Sequence, residues 1–427
     1  MRTKTFELSL SALTTKQIEH PSPIRQIMKL AERQTIIDLG LNPDDVISFA
    51  GGWVNHQAPA GFRQAYLDVL NDSTLFHQSG GYTATLGTEE CRTAIADFEK
   101  HAFKIKNLSS ANIAIGLGST QVTFDLMRAI LDPGDTILLL DPTYANYEGQ
   151  LAFAVPGVRI ATLPVLDPVT WSYLPRTDPG RVMDQFKRIW RETKPKAILF
   201  CSPDNPTSQI VPQPLVDLFM EHAVRDRAYV LVDFAYKCQC FGDPPPYYSW
   251  SPDEYPNLVA IHSNSKWARG LGRRLGWIEA APEVVEGIER VHQCGILCPD
   301  TLHQMTMARY IRRSIEDGSL RLFLDETRNA YRLAGKTTVD AVDKHLNLPR
   351  SEPEGGLYVV VDVKRQSDAF VREALKATGV LLVPGAGFGG TLTNGVRISF
   401  GPHVVSLPKI EEGIGRLGRF MKKGISA

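Results

Sequence analysis

Between about residues 90 and 280, short apolar runs of β character take turns with segments of helical periodicity, and that alternation leaves few folds open. The β-like runs are NIAI at 112–115, TILLL at 136–140, AILF at 197–200, YVLV at 229–232, LVAIH at 258–262 and RLGWIEA at 274–280. Between them, residues 88–103 carry Cys91, Ala94, Ile95 and Phe98 at helical spacing, and residues 120–131 do the same with Val122, Leu126, Met127 and Ile130. Such alternation predicts an α/β fold with a mainly parallel central sheet covered by helices on both faces. After Asp300 the pattern changes to one long helical stretch over residues 303–334, then to a smaller α+β unit ending in a helix at 408–423. The predicted organisation is an arm and part of a small domain over residues 1–60, a large ligand-binding domain over 61–310, and the rest of the small domain over 311–427. No internal repeat interrupts this pattern, and PPPYY at 244–248 reads as a stiff loop.

Composition narrows the function. The chain has 427 residues, 43% of them hydrophobic, enough for more than one domain core. Lys plus Arg and Asp plus Glu both number 47, so no overall field recruits nucleic acid or an anionic membrane. The opening MRTKTFELSLSALTTKQ lacks the apolar run of a signal peptide, and no stretch of about 18 apolar residues follows, so the expectation is a cytoplasmic protein without a membrane partner. Six cysteines, at 91, 201, 238, 240, 294 and 298, show no C-x-x-C spacing, and ten scattered histidines show no H-E-x-x-H. A metal site and a serine-hydrolase triad are both disfavoured.

Four loops fall at the carboxyl ends of the predicted strands, where open α/β sheets bind ligands. GLGSTQ at 116–121 opens a helix whose free N–H groups suit a phosphate. SPDNPT at 202–207 offers the Asn205 amide, and VDFAY at 232–236 places Asp233 at a buried strand end with Tyr236 three residues on. A buried carboxylate needs a cationic partner or several donors, and a protonated pyridine nitrogen is such a partner. SNSKWARGLGRRLGW at 263–277 holds Lys266 among Ser263, Ser265 and Arg274, an amine that can condense with an aldehyde beside hydroxyls and a guanidinium suited to a phosphate. Aldehyde, phosphate and pyridinium together describe pyridoxal 5'-phosphate.

The order and spacing of these loops resemble the class I/II aminotransferases of the fold-type I pyridoxal-phosphate enzymes, over nearly the whole chain from ISFAGG at 47–52 to VRIS at 396–399. The resemblance implies that Lys266 forms the Schiff base with the cofactor, Asp233 pairs with its ring nitrogen, and Tyr236 and Asn205 contact its ring oxygen. It places Ser119, Thr120, Ser263 and Arg274 at the phosphate and stacks Tyr144 of DPTYANY on the ring. Tyr82 of GGYTATLG would reach the phosphate of a neighbouring subunit, implying a homodimer with shared sites. Arg397 would clamp the substrate α-carboxylate, with Gly52 and Asn205 on the substrate side. The implied reaction moves an amino group from an L-amino acid to a 2-keto acid. Relatives with an F-A-G-G segment include aminoadipate and aromatic aminotransferases.

Three positions depart from the family pattern: Ser208 replaces the glycine after N-P-T, Trp53 and its neighbours replace an early proline, and Lys237 follows Tyr236. They leave open a second reading, a pyridoxal-phosphate lyase, decarboxylase, cyclase or oxidase. A third, the effector-binding module of a transcription regulator, needs a basic DNA-binding domain upstream, and only about 25 residues precede the first family-like helix at Ile24.

Overall fold

The computed structural model describes residues 9–19 and 23–424, so part of the expected N-terminal arm, residues 1–8 and 20–22, lies outside it. Its strands are β1 (Ile47–Ser48), β2 (Ile113–Gly116), β3 (Thr136–Asp141), β4 (Arg159–Pro164), β5 (Ala197–Cys201), β6 (Tyr229–Asp233), β7 (Leu258–Ser263), β8 (Gly276–Glu279), β9 (Tyr358–Asp362), β10 (Val380–Leu381), β11 (Val383–Pro384) and β12 (Gly395–Ser399). Seven of them form one sheet in the order β2-β8-β7-β6-β5-β3-β4, parallel except for β8, which runs against both neighbours. Successive side chains of its strands enter opposite apolar layers, as the pleat requires. Ile198 and Phe200 pack with Phe186, Trp190 and Phe219 on one face. Ala197 and Leu199 pack with Val122, Leu126 and Ile288 on the other. The fold is the α/β architecture that the alternation predicts, a mainly parallel sheet with helices packed against it.

Register brings the strand ends to one level. Cys201 pairs with Asp233 and Asp233 with Ile261, while Ser263 and Gly116 both pair with Gly276. The four ligand-facing loops therefore emerge along one edge.

Two expectations need correction. The helical stretch over 303–334 is two helices, Thr301–Glu316 and Ser319–His345, broken where Gly318 adopts φ +76°, a conformation glycine takes without steric penalty. RLGWIEA becomes a strand only from Gly276, because Arg274 has a left-handed φ of 51°. Elsewhere the shifts are about a residue: the helices run Glu89–Phe103, behind a Thr88 cap that accepts from Cys91 N, Ser119–Ile130 and Leu407–Gly424.

Outside the large sheet, β9, β12 and β11 form an antiparallel sheet, and β1 pairs parallel with β10. Their core joins Phe49, Ala50 and Val54 to Val359, Val361, Leu381, Ile398, Ile410 and Ile414. This second sheet positions Tyr358 and Arg397. Among the described residues, no helix is long and apolar enough to cross a membrane.

Candidate active site

The edge of the large sheet opens into a cavity of about 380 Å³. Its walls include Gly52, Ser119, Thr120, Tyr144, Asn205, Asp233, Tyr236, Ser263, Ser265, Lys266, Arg274 and Arg397. Sequence reasoning singled out every one of these residues. Tyr82 is the exception; it is 86% exposed and does not line this cavity.

At one end the chain builds an anion cradle. Gly118, at φ +89°, turns β2 into the helix Ser119–Ile130, and a Cβ there would lie 2.6 Å from Nη2 of Arg274. Gly276 has no room either: its Cβ would lie 2.5 Å from the Gly118 carbonyl carbon and 2.6 Å from Ser119 N. These two glycines let the helix N-terminus and the guanidinium share one corner, where backbone N–H groups and positive charge favour a phosphate. Arg274 Nη1 donates to Leu271 O at 2.9 Å, and Ser263 Oγ accepts from Ser265 N at 3.1 Å and donates to Ser265 Oγ at 2.8 Å.

Lys266 sits in the single turn Asn264–Trp267 just past β7, its Nζ donating to Gly52 O at 2.6 Å. Burial lowers its pKa, the positive Arg397 and Arg274 add to the effect, and Asp233 offsets part of it, leaving the amine at about 8. Such an amine is still mostly protonated at pH 7, but the unprotonated fraction, about a tenth, far exceeds that of an ordinary lysine and serves as nucleophile or proton acceptor. At the end of β6, Asp233 accepts from the Tyr147 hydroxyl at 2.8 Å and from Ala235 N at 3.0 Å. Both donors are neutral, and burial raises the carboxyl's pKa. A cationic ring nitrogen would supply a charged donor to this carboxylate, which its two neutral donors do not.

On the opposite side lies Arg397, 1% exposed. Its Nη1 donates to Asn205 Oδ1 at 2.8 Å, its Nη2 donates to Ala50 O at 2.9 Å, and its Nε has no partner among the described residues. Its guanidinium carbon lies 4.3 Å from the ring centre of Tyr358 and 4.9 Å from that of Phe388. A buried cation whose bonds all go to neutral acceptors invites an anion, and a carboxylate matches its fork. Tyr144 meets Tyr147 edge-on at 5.3 Å, with its hydroxyl accepting from Asn146 at 3.1 Å.

Of the lining residues that escaped the sequence reading, two bond Asp233 and Tyr236 through their side chains. Tyr147, which holds Asp233, belongs to the same DPTYANY segment as Tyr144, so a tyrosine one helical turn on was the available signal. Tyr358, whose hydroxyl is 2.6 Å from that of Tyr236, opens a valine run in the second sheet, and nothing local marks it. Behind the cavity, Lys237 Nζ pairs with Glu99 at 2.9 Å, and His262 lies 3.4 Å from Glu99 and 3.3 Å from Glu279, all buried.

A lysine amine near neutrality, a buried carboxylate with only neutral donors, and a glycine-lined corner that admits Arg274 fit pyridoxal phosphate, and they define the class of α/β enzymes built around that cofactor. Comparison with known proteins gives the family. The sequence pattern of the family described as Aminotransferase class I and II matches residues 45–417, and the chain belongs to that family of pyridoxal-phosphate-dependent transferases. It is 24% identical over 409 residues to a putative aminotransferase, YugH, of Bacillus subtilis, covering 94% of this chain and 96% of that one. It is 27% identical over 349 residues to the aspartate/prephenate aminotransferase of Thermus thermophilus, covering 79% and 83%. A solved single mutant of Thermus thermophilus aspartate aminotransferase shares the fold, with a TM-score of 0.82 at 22% identity over 97% of this chain and 100% of that one.

Proposed function

We propose that this chain transaminates amino acids with bulky, uncharged side chains, using pyridoxal phosphate joined to Lys266. The observation that carries the reading is the half-buried Lys266 amine, lowered to about 8 and set among Asp233, Arg274 and Arg397. When bound, the cofactor supplies an aldehyde and a ring that withdraws electrons from the substrate α-carbon. The chain's own residues would do the rest. Ser119, Thr120, Ser263, Ser265 and Arg274 hold the phosphate, and Asp233 keeps a proton on the ring nitrogen. Asn205 and Tyr236 face the ring oxygen, and Tyr144 packs on the ring. Arg397 grips the α-carboxylate and so aims the Cα–H bond at Lys266 Nζ, which takes and returns that proton.

The substrate class follows from what else lines the cavity. Met28, Trp53, Leu271 and Tyr358 supply apolar and aromatic surface, and its three cations, Lys266, Arg274 and Arg397, already have roles. No further cation among the described lining residues serves a side-chain carboxylate. Of the two kinds of enzyme suggested by the F-A-G-G segment, this favours aromatic over aminoadipate donors. With a panel of donors and no keto acid, phenylalanine, tyrosine and tryptophan should convert the cofactor at least tenfold faster than aspartate or 2-aminoadipate. The reverse order contradicts the substrate class.

We also propose a homodimer in which Tyr82 completes the partner's phosphate site. The exposure of its ring, away from its own cavity, supports this. A monomer in sedimentation at assay concentration contradicts it.

A further inference from the structure

We propose that Tyr358 is a positioning residue for Tyr236, and that Ser208, which stands where the family pattern has glycine, is the anchor that sets it. The inference rests on the pyridoxal-phosphate reading above and extends it to a side chain with no role there beyond lining the pocket. Tyr358 opens β9, and its backbone N–H donates to Ser208 Oγ at 3.0 Å. Ser208 pays for that contact by holding a left-handed φ of 58°, a conformation that non-glycine residues adopt uncommonly. Its own N–H donates to Asp204 O, and its carbonyl accepts from Glu354 N, both at 2.9 Å. Gly356, at φ +65°, makes room: a Cβ there would lie 2.9 Å from Ser208 Oγ. A glycine at 208 would keep the turn but lose the hydroxyl that fixes the start of β9.

What Ser208 fixes reaches the site from two sides. The Tyr358 hydroxyl lies 2.6 Å from that of Tyr236, and its ring packs under the Arg397 guanidinium at 4.3 Å. Gly52 leaves the space, since a Cβ there would come within 2.8 Å of the Tyr358 hydroxyl. Asn205, three residues before Ser208, bonds Arg397 directly. One loop, 205–208, therefore holds the carboxylate-side arginine and, through Tyr358, the cofactor-side tyrosine. A hydroxyl has one proton and two lone pairs, so when Tyr236 donates to the cofactor ring oxygen it can accept from Tyr358 at the same time. The second bond polarises the first and strengthens it. A stronger donor at that oxygen favours the deprotonated form of the cofactor–lysine linkage.

The test is a pH titration of the visible absorbance of the cofactor-loaded protein, which reads protonation of that linkage rather than turnover. Tyr358→Phe keeps the ring under Arg397 and deletes only the hydroxyl; Ser208→Gly keeps the hydroxyl and releases the backbone anchor. The expected result is a midpoint raised by half a pH unit or more in Tyr358→Phe, about threefold in the proton equilibrium, and a smaller rise in Ser208→Gly. Should Tyr358→Phe fail to fold, the Ser208→Gly rise still decides. An unchanged or lowered midpoint in folded, loaded Tyr358→Phe overturns the role of Tyr358, whatever its turnover. A shift in Tyr358→Phe with none in Ser208→Gly removes Ser208 as the anchor. Wild-type protein that shows no visible band instead refutes the cofactor reading on which the inference rests.

Discussion

At Lys266 the requirements of chemistry and of folding pull in opposite directions. Burial and two nearby arginines move the amine from 10.5 to about 8, so between those values the unfolded chain binds more protons than the folded one, and folding stability rises with pH there. Below about pH 8 the folded chain bears the full penalty, on the order of 3 kcal/mol at about 1.4 kcal/mol per pH unit. Losing the bond from Nζ to Gly52 offsets about 1 kcal/mol of the gain from removing the charge. Without cofactor, Lys266→Met should therefore be more stable than wild type by about 2 kcal/mol at pH 7, with the gap shrinking from pH 8 to 10.5. Urea unfolding at three pH values checks this, and a gap independent of pH contradicts it. Residues such as Lys266 and Asp233 were legible because a strand end, a charge and a glycine-rich turn fall together in sequence. Tyr358 was not, because its role exists only where β9 of one sheet meets Tyr236 beside another.

At the scale of elements, the strands that carry the site are tied together from behind. Lys237, next to Tyr236, pairs with Glu99 on the helix Glu89–Phe103, while His262 on β7 faces both Glu99 and Glu279 of β8. Burial raises the Glu99 carboxyl despite Lys237, whereas at Glu279 burial pushes the carboxyl up but His262, Lys237 and the Trp277 N–H together outweigh it and hold it down. The Lys237 ammonium also lies 4.1 Å from the ring centre of Phe103 and 4.7 Å from that of Phe234. Lys237→Met should destabilise the protein by about 3–5 kcal/mol, since it strands a buried carboxylate, and adding Glu99→Gln should recover most of the loss. Denaturant midpoints of the single and double variants check it; equal losses in both would show that the charge pairing is not the cause. Lys237 was visible beforehand only as a departure from the family pattern, because its partners lie 138 residues away at Glu99 and across two strands. Hydrophobic alternation did place the strands within a residue or two. It could not show the break at Gly318, where a single backbone angle divides two helices that share one apolar period.

Over the whole molecule, one apolar cluster joins Ile27, Phe49 and Val54 to Tyr331, Val360 and Leu417, which supports the proposed pooling of residues from 1–60 and 311–427 in one small domain, although Ile311 and Leu320 pack with Phe62, Ile95 and Trp277 of the proposed large domain over 61–310. The substrate-side arginine would then come from the small domain and the lysine from the large one, with the cavity between their sheets. Family membership assigns transamination over the lyase, decarboxylase, cyclase and oxidase readings that the sequence left open. The central claim is that the cofactor is joined to Lys266, and covalent trapping tests it most directly. Protein loaded with pyridoxal phosphate should be reduced with borohydride, digested, and its peptides weighed. The account predicts one added cofactor group per chain, on the peptide bearing Lys266, and none on Lys266→Ala treated in the same way. A label on any other lysine, or one that survives in Lys266→Ala, would contradict it.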